Sequence, residues 1–177
     1  MSRRPNFSVR AAEAGDAVSI AAIYAQAVRD DTATFEIEPP DAAAMAARMA
    51  SIAAAGHPYF VAEADGAILG FAYASTFRAR AAFALTLEDS VYVAPSAQGR
   101  GIGKLLLARL IDDATAKGFR QMVAVIGDSR TTPASIALHT ALGFRTMGKL
   151  DAVGRKHDQW LDIVFMQRAL GQDVSLR

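Results

Sequence analysis

Apolar residues recur along this chain with two different periods, and the points where the period changes mark its elements. Phe7-Ser-Val-Arg-Ala11 alternates in the manner of a short half-buried strand. Gly15-Asp16 then offers a helix N-cap ahead of Ile20, Ile23, Tyr24 and Ala27, which return at helical spacing. Phe35 to Pro40 reads as an extended loop. Asp41 caps a second, alanine-rich helix that reaches about Ala55 before Gly56 and Pro58 stop it. Tyr59 to Ala64 and Ala67 to Ser75 are strand-like runs separated by Asp65-Gly66, a dipeptide suited to the positive φ angles of a tight hairpin. After an irregular stretch from Thr76 to Leu85, Thr86 to Val93 predicts a further strand.

Beyond Pro95 comes a glycine-rich turn. It leads into a helix with Ile102, Leu105, Leu106, Leu110 and Ala114 on one stripe, ended by Gly118. Gln121 to Ile126 predicts a buried strand and Pro133 to Leu142 a short helix closed by Gly143. Arg145–Val153 and Gln159–Arg168 predict a closing antiparallel pair. The predicted order is β-α-α-β-β-β-α-β-α-β-β, an α/β (α+β) arrangement. It contains no linker, repeat or low-complexity tract, so residues 1–177 read as one domain with a frayed tail over 171–177.

Composition narrows the function classes. Nineteen Lys and Arg nearly cancel eighteen Asp and Glu, which leaves no global basic field for nucleic acid. Without cysteine there is no disulfide, thiolate metal site or acyl-cysteine intermediate. The three histidines, His57, His139 and His157, are too dispersed to suggest a metal site. Arg3 and Arg4 before the run Ala17 to Val28 loosely imitate a signal peptide, but Glu13 and Asp16 directly precede that run, and Ser19, Tyr24 and Gln26 interrupt it. No run approaches the roughly 18 apolar residues of a membrane span. A cytoplasmic protein is expected.

The stretch Val91-Tyr-Val-Ala-Pro-Ser-Ala-Gln-Gly-Arg-Gly-Ile-Gly-Lys104 carries the chemistry. Gly99, Gly101 and Gly103 let backbone approach an anion. The first turn of the following helix presents unpaired N–H groups at a positive dipole end, and Arg100 and Lys104 add charge. A P-loop would need glycine where Gln98 stands and Ser or Thr where Leu105 stands. A dinucleotide fingerprint would need glycine at Lys104 and an acid about 20 residues on, where Ala124 sits in a strand. The alternative is a glycine-punctuated turn without a ligand.

Gln98-Gly-Arg-Gly-Ile-Gly103, following Val91-Tyr-Val93, resembles the pyrophosphate loop of the GNAT N-acetyltransferases. Ala134-Ser-Ile-Ala-Leu-His-Thr-Ala-Leu-Gly-Phe144 resembles that superfamily's helix beside the CoA arm. Most of the chain is similar to the phosphinothricin and methionine sulfoximine N-acetyltransferase branch. The matching segments are Thr32 to Pro40, Arg78-Ala-Arg80, Glu88 to Val93, Val123 to Gly127, and Lys156-His157 with Trp160. The resemblance implies a mixed, mostly antiparallel central sheet splayed between two parallel strands, Thr86–Val93 and Gln121–Ile126. It implies acetyl-CoA as co-substrate, with backbone of Val91 and Val93 beside Tyr92 on the pantetheine, and Gly99, Arg100, Gly101, Ile102, Gly103 and Lys104 around the pyrophosphate. Thr132 stands where relatives commonly carry an asparagine that reaches the CoA arm.

By the same resemblance the reaction is acetylation of a small amino-acid-like amine, such as methionine sulfoximine, methionine sulfone or phosphinothricin, with no metal. An amine must lose a proton before attack, and Glu88 matches the branch's general base. A glutamate near a strand end is otherwise an ordinary solvated group. His139 occupies the place of a proton donor to the departing thiolate; it reads equally as a helix histidine packed on the sheet. Arg78 and Arg80 suit a substrate carboxylate, or form an exposed basic loop. Phe35, Tyr73, Phe83 and Tyr92 match acceptor-pocket positions, and as aromatics they also read as plain core. Resistance enzymes of the branch usually carry Lys, Tyr and Trp at positions 78, 83 and 77, which leaves the acceptor open. Other GNAT acceptors (protein N-termini, polyamines, aminoglycosides) and a non-catalytic acyl-CoA-binding module are the competing functions. The basic loop disfavours cationic acceptors. The closing hairpin and Trp160 suggest a homodimer, as in relatives.

Overall fold

The computed structural model describes residues 7–171, so the frayed tail expected after Gly171 lies outside the described residues. Among these residues the strands are β1 (Ser8–Ala11), β2 (Tyr59–Ala64), β3 (Ala67–Thr76), β4 (Thr86–Val93), β5 (Gln121–Gly127), β6 (Arg145–Lys156) and β7 (Gln159–Ala169). They form one sheet in the order β1-β2-β3-β4-β5-β7-β6. The helices are α1 (Ala17–Asp30), α2 (Ala42–Ala54), α3 (Ile102–Ala116) and α4 (Pro133–Ala141). Every neighbouring pair is antiparallel except β4 and β5, which run parallel across the α3 crossover. The element order and the mixed sheet are those read from the sequence.

Strand alternation divides the core into two layers. Tyr59, Val61, Phe71 and Tyr92 point to one face and pack on Ile20, Tyr24 and Val28 of α1 and Met45 and Met49 of α2. Phe60, Ala62, Ala72, Ala74 and Leu87 point to the other face, onto Leu106, Leu107, Leu110 and Ala114 of α3. α3 lies close because β3 carries Gly70. A Cβ there would come within 2.8 Å of the Tyr92 carbonyl oxygen and 3.3 Å of a Leu106 methyl.

Local signals set most element ends. Asp41 caps α2 by accepting from the Ala44 N–H at 2.8 Å. Asp65 and Gly66 take the positive φ angles that the β2–β3 hairpin requires. Two expectations are corrected. Asp16 does not cap α1 with its side chain. It closes the short 3-10 turn Ala14–Asp16, where its carboxylate accepts from both terminal nitrogens of Arg10 and from the Glu13 N–H. The closing hairpin also runs past Val153 to Lys156, because a register shift between Leu150 and Gly154 absorbs the irregular residues and pairing with β7 resumes. No helix among the described residues is long and apolar enough to cross a membrane.

Gly70→Ala is expected to lower stability by about 1–3 kcal/mol, the range for overpacking a filled interior. Urea denaturation measures it, and a change below a few tenths of a kcal/mol would show that β3 and α3 do not touch as described.

Candidate active site

β4 and β5 pair only from Thr86↔Gln121 to Asp89↔Ala124. Beyond that point β4 follows β3 to Val93↔Gly70, while β5 follows β7 to Gly127↔Ile163. A wedge opens between Ser90–Val93 and Val125–Gly127. The Ala94 N–H bonds the Leu69 carbonyl of β3, so by strand alternation the N–H and C=O groups of Val91 and Val93 point into the wedge. The Val93 carbonyl accepts only a long 3.3 Å bond from the Gln98 side-chain amide. An extended chain bearing amides fits such an edge in the way a strand does.

The wedge continues into a groove of about 630 Å³ lined by Val91, Val93, Gln98, Gly99, Gly101, Gly103, Lys104, Thr132 and Leu138, among others. Gly101 precedes α3 with φ of 82°, and Gly99 has φ of 71°, so the loop turns where side chains would strain it. Among the described residues no side chain caps the start of α3, whose first turn, Ile102 to Lys104, lines this groove. Arg100 lies over the Phe7 ring, 5.6 Å from its centre, and Lys104 lines the groove wall. Glycines, free amides and Lys104 together suit a diphosphate, while Arg100 stacks on Phe7 and is not part of the groove lining. Thr132 lines the groove too, but its hydroxyl already lies 2.8 Å from the Gly127 carbonyl and 2.9 Å from the Asp128 carbonyl.

At the apex of the wedge β4 turns Asp89 to the α4 side and Glu88 to the opposite face. His139 of α4 is 3% exposed and Asp89 6%. Their Nε2 and Oδ2 atoms are 2.9 Å apart, while His139 Nδ1 lies 2.7 Å from the Ser135 carbonyl. Burial of the ring opposes charge, but the Asp89 carboxylate and then the Ser135 carbonyl outweigh it and hold the imidazole pKa above its ordinary 6.5. Asp89 Oδ1 is buried without a partner among the described residues.

Glu88 is half-buried, and among the described residues no side chain hydrogen-bonds it. Burial and then the neighbouring Asp89 carboxylate push its pKa above the ordinary 4.5, and the Arg78 charge pulls it partly back. A carboxylate left free, partly desolvated and raised towards neutrality is equipped to accept a proton. On its face stand Ser75 and Tyr73 of β3, and Val123 opposite it on β5.

A family model described as "Acetyltransferase (GNAT) family" matches residues 20–144. The chain is 50% identical to a phosphinothricin N-acetyltransferase of Alcaligenes faecalis, over 92% of this chain and 82% of the relative. It is 41% identical to an L-methionine sulfoximine/L-methionine sulfone acetyltransferase of Pseudomonas paraeruginosa, over 90% of this chain and 92% of the relative. A GNAT superfamily phosphinothricin acetyltransferase from Sinorhizobium meliloti, solved in complex with acetyl-CoA, superposes with a TM-score of 0.92 at 49% identity. That match covers 97% of this chain and 92% of the other. The chain belongs to the GNAT acetyltransferase family. It is an acetyl-CoA-dependent N-acetyltransferase.

In this GNAT enzyme the remaining expected residues fall into two sets. Phe35 lies over the wedge end of β5 and β6, in a socket made by absent side chains. A Cβ on Gly127 would stand 2.8 Å from its ring and one on Gly154 would collide with it. Phe83 meets Phe77 edge to face at 5.8 Å and lines a hollow of about 300 Å³ with Thr86, Val123 and Phe165. Arg78 sits over Phe77 and, like Arg80, is exposed. Tyr73 and Tyr92 belong instead to the α1–α2 core. Tyr73 stacks on Tyr59 and Phe71, and Tyr92 on Phe71 and edge-on to Tyr24. His57 meets Phe119 edge-on at 5.5 Å, and His157 takes φ of 49° in the β6–β7 turn.

Sequence reasoning assigned no role to Asp89, Ser135, Gly127, Gly154 or Lys156. Lys156, 3% exposed, donates to the Thr34 carbonyl at 2.8 Å and so ties the closing hairpin to the α1–α2 loop. The one signal available for Asp89 was its place beside Glu88; its partner lies 50 positions away.

Lys104→Ala is expected to raise KM for acetyl-CoA roughly threefold to tenfold, the size of one exposed charge-assisted contact. The difference should shrink at high ionic strength. Steady-state CoA release at low and high salt measures it, and an unchanged KM would remove this cation from the diphosphate site.

Proposed function

We propose that this enzyme transfers the acetyl group to the α-amino group of a small amino-acid-like acceptor of the methionine sulfoximine, methionine sulfone or phosphinothricin type. Glu88 is the general base. The observation that carries the reading is the setting of Glu88, a half-buried, unpartnered carboxylate at the apex of the wedge with its pKa raised. The neutral amine attacks the thioester carbonyl, the new C–N bond replaces the C–S bond, and CoA leaves as a thiolate that takes its proton from solvent. Glu88 takes the ammonium proton directly or through a water, and the Val91 and Val93 backbone holds the pantetheine amides. Gly99 to Lys104 hold the diphosphate, with Thr132 beside the CoA arm.

Arg78 and Arg80 provide cationic charge for the acceptor's carboxylate, which favours anionic over polycationic amines. Phe35 and Phe83 wall the acceptor, with Tyr73 and Tyr92 behind them. The relatives named for phosphinothricin and for methionine sulfoximine and sulfone support this acceptor class. We further propose that the enzyme is a homodimer. Its β6 lies at one end of the sheet, and Met147, Leu150, Val153 and Trp160 of the β6–β7 hairpin are 55%, 47%, 51% and 63% exposed. Light scattering of the purified protein tests this, and a monomer at all accessible concentrations overturns it.

CoA release should be confined to the amino-acid analogues when these are compared with spermidine and a peptide pool. Glu88→Gln should lower kcat by about a hundredfold or more. Because the Glu88 pKa is raised, the acid limb of kcat/KM should lie above the ordinary 4.5, with activity lost as pH falls through it and the carboxylate is protonated. Turnover only with spermidine or peptides would overturn the acceptor class, and an active Glu88→Gln would overturn the base.

A further inference from the structure

We propose that Asp89 is a positioning residue that keeps His139 as a buried imidazolium, so that the pair braces the apex of the wedge and does not carry a proton during turnover. The argument begins with hydrogen-bond chemistry. The Ser135 carbonyl has no proton to give, so His139 Nδ1, 2.7 Å away, must be the donor. Nε2 faces the Asp89 carboxylate at 2.9 Å, again an acceptor. With the Asp89 carboxyl ionised, the ring has acceptors on both sides and carries protons on both nitrogens. It then has no lone pair with which to accept another, and it cannot serve as a base.

Nor is it free to act as an acid. The Asp89 side chain is 1% exposed and that of His139 4%. Asp89 Oδ1 has no partner among the described residues, so the carboxylate is neutralised through His139 alone. Giving the Nε2 proton to a departing group would leave a buried carboxylate unpaired, which is strongly unfavourable. Among the described residues, Arg168 of β7 is a charged group on this face, and its guanidinium donates to the Leu142 carbonyl at the end of α4; the ring itself is hydrogen-bonded by Asp89 and Ser135 alone. On β4 the neighbouring Glu88 points to the other face. The residues of β5 on this side are Met122, Ala124 and Ile126, and the α4–β6 turn contributes Phe144, whose ring meets the imidazole edge-on at 5.0 Å.

The bridge also has a mechanical consequence. Asp89 is the last β4 residue paired with β5, and His139 belongs to the helix that walls the groove, so the ion pair ties α4 to the strand where the sheet parts. The wedge is thereby braced at its apex by charge, while Phe35 packs on the far end of β5, at Gly127. The sign of the pH dependence follows from the raised imidazole pKa. The pair's contribution is complete below the ordinary 6.5 and is lost as pH rises through the folded value.

The first test is NMR of the uniformly ¹⁵N-labelled enzyme without any acceptor. Just above pH 6.5, where half or more of an ordinary imidazole is neutral, both ring nitrogens of His139 should show protonated shifts, and in Asp89→Asn the ring should become neutral, protonated on Nδ1. A neutral His139 in the wild type overturns the proposal, whatever the enzyme acetylates. The kinetic arm alone rests on the function proposed above. The double variant Asp89→Asn/His139→Asn should lose less than about tenfold in kcat, and its loss of stability at alkaline pH should disappear; removal of a true proton carrier costs about a hundredfold or more. A loss of that size in a folded double variant overturns the proposal. Glu88→Gln, run alongside, reports on the base assignment independently, because it leaves the imidazolium signal in place.

Discussion

The structure turns on the parting of two parallel strands. Backbone N–H and C=O groups removed from water must find partners, and a sheet that opens in its middle leaves a row of them without any. Beyond Asp89↔Ala124 the Val91 and Val93 groups face a wedge, and each strand is kept from closing it by a firmer pairing on its other side. The wedge thus offers an extended ligand a backbone edge to complete, and the adjoining groove offers the free amides of the α3 N-terminus. Affinity for the CoA chain can therefore be built with few dedicated side chains.

The alternation of a single strand distributes the chemistry. Glu88 and Asp89 are neighbours in sequence, yet the pleat sends one to the face of Tyr73 and Ser75 and the other to the α4 face. Glu88 stays unpartnered and its pKa rises. Asp89 is fully buried and paired, and its charge helps push Glu88 in the useful direction. Two adjacent carboxyl groups thereby acquire opposite characters from their surroundings.

The face proposed for the acceptor is shaped by absence. Gly127 and Gly154 leave the space into which Phe35 drops, and Lys156 reaches the Thr34 carbonyl from the closing hairpin. The α1–α2 loop is further tied by Thr32, whose hydroxyl donates to Asp128 Oδ2 at 2.9 Å. A loop with little regular structure is held in one place by these contacts, which suits a wall that must present an aromatic ring in a fixed orientation.

By itself the sequence determined the order of elements, the splayed mixed sheet through its family resemblance, the glycine loop leading into α3, and Glu88 and His139 as the groups to watch. These follow from short-range causes: periodicities of two and 3.6, turn glycines, and motifs whose members lie within a few residues of one another. Locally, Asp16 stands at the N-cap position of α1 as the sequence indicates, but its carboxylate is taken by Arg10 and the Glu13 N–H instead of the helix amides, which no local pattern records. Only the tertiary structure decided what His139 faces, where Phe35 rests and which tyrosines are core. Those answers depend on strand pairing and on contacts between residues 50 to 122 positions apart, as in His139–Asp89 and Lys156–Thr34. A proton's position on an imidazole is set by what stands opposite each nitrogen, and no periodicity in the chain records that.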